Sequence, residues 1–221
     1  MALLAGSASV ASISYRTTET QDSAATTYTF TSKDIGTAAV GRRVIVGVVG
    51  SGAASRTISS VTVGGNAATA VAFIENVGGL ATLQAALYAI QVDAGTTATI
   101  VVTFSGGNNR CGIGVWAAYD LQSGTATATG TSVANPQTAS LNISAGGIAI
   151  GVANGFDNNA LTGYSWTNLT ENFDALFASN QIAHSGASAA FATAQTSLAL
   201  TATPQGAPSF DTGAAVFAAF R

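Results

Sequence analysis

Apolar and polar residues alternate along much of this chain, with the period of two that a half-buried β-strand imposes. In TASLNIS, Ala139, Leu141 and Ile143 fall on one face and Ser140, Asn142 and Ser144 on the other. TATIVVTF gathers Ala98, Ile100, Val102 and Phe104 on one face, and TSLALTA does the same with Leu198, Leu200 and Ala202. Each apolar set predicts a core face, and the hydroxyls opposite predict a solvated one. RRVIVGVVG and GIGVWAAY are apolar on both faces. They predict central strands, or strands covered on both sides by neighbouring subunits. Strong helix formers are sparse and never fall in helical register.

Turn residues separate these runs. Gly64-Gly65-Asn66 joins TISSVTV to AATAVAFI, and glycine and asparagine supply the positive φ of a tight hairpin. Asn76-Val77-Gly78-Gly79, Asp93-Ala94-Gly95, Gly106-Gly107-Asn108-Asn109 and Gly146-Gly147 punctuate later strands. The longest irregular stretch is expected between Asn154 and Gly163, with a second around Pro204 to Pro208. No linker, charge block or exact repeat divides the chain. The pattern predicts an all-β, jelly-roll-like antiparallel β-sandwich over residues 1–221 as one domain. About ten to fourteen strands should curl into two packed sheets. Residues 1–16 alternate poorly and are expected to form an N-terminal arm or an edge strand.

Composition narrows the function. Only 8% of residues are charged, against about 25% in an average soluble domain, so Thr, Ser, Asn, Gln and Ala must make the surface. Seven basic residues against ten acidic ones leave no basic stripe for a nucleic-acid backbone. The one basic pair, Arg42-Arg43, precedes an apolar run and reads as a strand end. Cys111 stands alone, which excludes an intrachain disulfide and a cysteine-based zinc cluster; its setting, RCGIGVW, is that of a small buried hydrophobe. MALLAGSASVAS lacks a positive n-region and a long apolar core, so it is expected to stay in the mature protein. No apolar stretch approaches the ~18–20 residues of a membrane-spanning helix.

Catalytic chemistry finds few residues to use. The single histidine, His184, adjoins Ser185, but neighbours on a strand face opposite ways and cannot pair as base and nucleophile. There is no G-x-S-x-G elbow. Glu171 and Asp174 are the closest carboxylates in sequence, and proximity alone does not place them as a hydrolytic pair. No catalytic residue, cofactor or metal is expected. The nearest approach to a metal site is Asp157-Asn158-Asn159, an oxygen-rich segment that suits calcium and also suits a polar turn. Tyr164 and Trp166, just beyond it, are the candidate glycan contacts, with packing as the default role of both. The sequons at Asn142 and Asn168 arise easily in so Thr- and Ser-rich a chain.

The runs TISSVTVGGNAATAV, ALYAIQVDAGTTATIVVTFSGG and GIGVWAAYDL, with the closing TGAAVFAAFR, resemble a group of β-sandwich domains of bacterial surface proteins and tailed-phage virion proteins. The resemblance covers residues 57–121 well and implies a fold; the group has no shared catalytic motif to carry over. With the missing secretion signal and the neutral surface, it implies a non-enzymatic phage component. The expected role is a capsid decoration (cement) protein on the exterior of the phage head, made in the host cytoplasm. It would be a homo-oligomer, a trimer, seated on the major capsid protein, with no nucleic-acid or membrane partner. The alternative is a lectin-like module, or a tail or head-fibre component, that recognises a host glycan through the 154–166 region.

Overall fold

The alternating runs become strands in a computed structural model that describes residues 10–78, 81–159, 161–177, 181–206 and 211–221. The first half of the chain supplies β1 (Ser12–Gln21), β2 (Ala25–Asp34), β3 (Arg43–Gly52), β4 (Ile58–Val63), β5 (Asn66–Ala67), β6 (Thr69–Val77), β7 (Thr82–Gln91), β8 (Thr97–Asn108) and β9 (Arg110–Tyr119). The second half supplies β10 (Ala128–Ser132), β11 (Gln137–Ile143), β12 (Gly147–Phe156), β13 (Gly163–Thr167), β14 (Thr170–Leu176), β15 (Ile182–Phe191), β16 (Gln195–Gln205) and β17 (Thr212–Phe220). No helix occurs among the described residues.

Every pairing is antiparallel, and the strands form four sheets. Sheet A has the order β1-β9-β3-β7-β6 and sheet B the order β2-β8-β4-β5. Sheet C runs β10-β17-β12-β15-β14 and sheet D runs β11-β16-β13. The second pair repeats the first strand for strand. Sheet C is sheet A wound again, and sheet D is sheet B without the short β5. Each half is therefore a jelly roll. The chain passes from one to the other once, through residues 120–127.

Three cores fix the layer order as B–A–C–D. Between sheets B and A lie Tyr28, Phe30, Ile100, Val102 and Phe104, packed on Val44, Val46, Val48, Ile113 and Val115. Between sheets C and D lie Leu141, Ile143, Leu200 and Phe217 with a group of alanines. The central core joins the two jelly rolls: Ile45, Val49, Leu83, Leu87 and Trp116 of sheet A meet Ile148, Ile150, Val152, Val216 and Phe220 of sheet C. Full burial of each large apolar side chain contributes roughly 1.5–3 kcal/mol relative to exposure.

This stacking accounts for the runs that are apolar on both faces. β3 and β9 sit mid-sheet in A, with sheet B on one side and sheet C on the other, so no neighbouring subunit is needed to cover them. The antiparallel sandwich expected from the pattern is present, with four sheets where two were expected. Alternation tells how many faces a strand buries but not which sheet covers each. The irregular stretch expected from Asn154 starts later, because β12 continues to Phe156. Of the N-terminal segment, Ser12 to Arg16 belong to the edge strand β1, and residues 1–9 lie outside the described residues.

Candidate functional site

Polar side chains enter the core at the end of the stack where β3, β8 and β12 finish. Asn108 of sheet B donates from Nδ2 to Gln84 Oε1 of sheet A at 3.2 Å. Asn154 of sheet C donates to the Gly50 carbonyl at 2.8 Å and to the Gln84 carbonyl at 3.2 Å, both in sheet A. Gln137 of sheet D donates to the Asn154 carbonyl at 3.2 Å. All four amides are fully buried, and together they thread every layer with hydrogen bonds. Gly50 makes room for them: a Cβ there would lie 2.5 Å from Asn108 Nδ2 and 2.6 Å from Gln84 Oε1. Gln84 also donates to Glu75 Oε1 at 3.1 Å. Burial alone would raise the Glu75 pKa, but hydrogen bonds from Ser55, the Arg56 backbone and Gln84 outweigh it and leave that pKa lowered. The carbonyl oxygens Asn108 Oδ1 and Asn154 Oδ1 have no partner among the described residues. This row holds no nucleophile or base. What it can do is fix the alignment of the layers, because any slippage would strand buried amides.

His184 on β15 borders the same region and is fully buried. Its ring meets Phe173 at 5.2 Å and Phe177 at 5.4 Å between centroids, and neither nitrogen has a hydrogen-bond partner among the described residues. Burial lowers its pKa to about 3, so the ring is neutral at pH 7. Ser185 points the other way, donating to the Phe173 carbonyl at 2.9 Å and accepting from Trp166 Nε1 at 2.8 Å. Asp174 holds the Tyr164 backbone N–H with both carboxylate oxygens, at 3.1 and 3.0 Å. Its neighbour Glu171 stands exposed on the same edge strand.

Asp157, Asn158 and Asn159 form the turn after β12. Asp157 is buried and accepts from the Asn159 N–H at 2.6 Å through Oδ1, while its Oδ2 has no hydrogen-bond partner among the described residues. The Asn158 N–H donates instead to Asp211 Oδ2 at 3.1 Å. Among the described residues no three His, Cys, Asp or Glu side chains gather to hold a metal. The segment behaves as a self-capped turn. Tyr164 is only 3% exposed and offers no face to a glycan, contrary to its candidacy as a sugar contact. Trp166 is half-buried, anchored through Ser185 and set edge-on to Phe217 at 6.1 Å. Packing against the alanine-rich core is what draws both rings inward.

The basic pair divides its duties. Arg42 is fully buried and donates to the carbonyls of Val92, Gly36, Gly95 and Ala94 at 2.6 to 2.9 Å, clamping the loop between β7 and β8 to the one between β2 and β3. Arg43, its neighbour, lines a cavity of about 320 Å³ between the two jelly rolls, together with Thr69, Val71, Ala89, Thr125 and Thr129. Adjacent in sequence, the two arginines are set on opposite faces by the strand period. Compared with known proteins, the chain matches no family model and none of the curated proteins.

Proposed function

We propose that this chain is a non-enzymatic structural component of a tailed-phage virion, a capsid decoration protein on the exterior of the head. The observation that carries this reading is the character of the two outer faces. The strands of sheet D, β11, β13 and β16, contain no charged residue. In sheet B only Lys33 and Asp34, at the end of β2, are charged. Both faces instead carry hydroxyls, and cross-strand pairs such as Thr27–Thr103 and Thr138–Thr201, at 3.3 and 3.0 Å, occupy matching strands of the two jelly rolls. A hydroxyl face can be covered by another protein without desolvating a charge and without like-charge repulsion.

The partners in this reading are further copies of the chain and the major capsid protein. A trimer suits a site where capsomers meet, and closed rotational symmetry is the usual form of such assemblies. The two-sided apolar runs lend no support to self-association, since sheets of the same chain cover them. Mass spectrometry of purified phage particles tests the proposal: the chain should co-purify with intact heads in a fixed ratio to the major capsid protein. Its absence from particles, or its presence only in tail fractions, would refute the decoration role. Light scattering should report a trimer in solution or a trimeric footprint on the head.

A further inference from the structure

Seven side chains on this protein are cationic, and six of them have a protein acceptor. Arg16 is paired with Asp34, Lys33 with Glu19 and Arg110 with Asp22. Arg42, Arg56 and Arg221 donate to backbone carbonyls. Arg43 has no hydrogen bond or ion pair with any described residue, although it is half-buried. A partly desolvated guanidinium with no acceptor is costly unless something supplies one.

Its surroundings are those of a receptor. The cavity lies at the seam of the two jelly rolls, walled by the start of β3, the start of β6, the end of β7, residues 124–126 and Thr129 of β10. Gly124 is pressed so closely to Arg43 that a Cβ there would collide with the guanidinium, so the linker backbone holds the side chain in place. Thr69, Thr125 and Thr129 are exposed and bring hydroxyls, while Ala70, Val71, Ala89 and Ala126 provide small apolar walls. A second groove of about 330 Å³ contains Arg16, but there Asp34 already satisfies the guanidinium.

We infer that the seam cavity binds the carboxylate of an acidic sugar residue, with Arg43 as the anion-binding group. A guanidinium takes a carboxylate through two parallel hydrogen bonds, and one cation balances a monoanion better than a phosphate dianion. The threonine hydroxyls match ring hydroxyls, and the alanine and valine walls suit the C–H face of a pyranose. No aromatic ring among the described residues lines the cavity, so a nucleobase finds no stacking partner there. The volume is near the lower end of small-molecule sites, which fits one sugar unit rather than an oligomer. This inference is independent of attachment to a shell, and its site is separate from Tyr164 and Trp166.

Titration of the full chain with glucuronate, followed by two-dimensional NMR, tests it, with glucose and acetate as companion probes. Glucuronate should shift the resonances of Thr69, Thr125 and Thr129 saturably, with affinity at least tenfold above either companion. Arg43→Gln should weaken glucuronate binding about tenfold or more, since a charge-assisted pair is lost. Gly124→Ala, whose Cβ would push the guanidinium out of place without touching a core, should weaken it too while the rest of the spectrum stays unchanged. Equal binding of acetate would overturn the sugar assignment, and equal binding of glucose would overturn the anion assignment. An absence of saturable shifts, or undiminished binding by both variants, would overturn the site.

Discussion

The two jelly rolls share a strand order but fill their cores differently. Among the described residues, the first half packs seventeen side chains between sheets A and B, and one of them is alanine. The second half packs fourteen between sheets C and D, and seven are alanine. The three ion pairs found among the described residues also lie in the first half, though exposed pairs contribute at most about 1 kcal/mol each. The same topology can thus be specified by a core of large residues or by one of small residues. The second half thus fills its own core with smaller side chains and shares the central core with the first.

Separation of the halves is the strongest challenge to this comparison. Expressed alone, residues 1–121 should keep a β-rich circular dichroism spectrum and a cooperative melt, and residues 122–221 should not. A second half that melts independently at the same temperature as the first would show that alanine content does not set the dependence. A smaller effect comes from His184, which projects from the second half toward Gly112 of the first. Its pKa is about 3 when folded and 6.5 when exposed. The unfolded chain therefore binds the extra proton between those values, and stability falls as pH drops from 6.5 toward 3. The unfolding free energy from urea titrations should fall by a few kcal/mol more between pH 7 and pH 4 in the wild type than in His184→Leu. An equal pH dependence in both proteins would mean that the ring is not buried neutral. The smallest effect is expected for Asn154→Ala, which removes two hydrogen bonds across the seam and should cost about 1–3 kcal/mol in urea unfolding. A neutral result would show that the amide row does not align the layers.

Much of the fold was legible because its strands alternate. Leu141, Ile143, Ile100, Val102, Phe104 and Leu200 are buried as the pattern requires, while Leu198 is only half-buried near its strand's start. Gly64 and Gly65 form the expected hairpin turn, with φ of 59° and 82°. The duplication was not legible. VWAAY and VFAAF end the matching strands β9 and β17, yet Trp116 faces the central core and Phe217 faces the core of its own sandwich. Equivalent strands thus present their bulky residues to different layers, and sequence similarity dissolves while topology persists. The amide row was missed because its members are far apart along the chain. A signal was present: Gln84 in TLQAALYAI and Asn154 in GIAIGVANGF are polar residues inside otherwise apolar strands. Arg43 carried no local signal, since only the second jelly roll turns its surroundings into a cavity.

The single passage of the chain between the jelly rolls, through residues 120–127, has a consequence for dilution. Two separate sandwiches joined by the same apolar faces would be a dimer, and a dimer comes apart as its concentration falls. Tethering by a short linker makes the encounter intramolecular, at an effective concentration in the millimolar range or above. The seam, and the cavity that opens on it, therefore stays assembled in a molecule released singly, however few copies surround it.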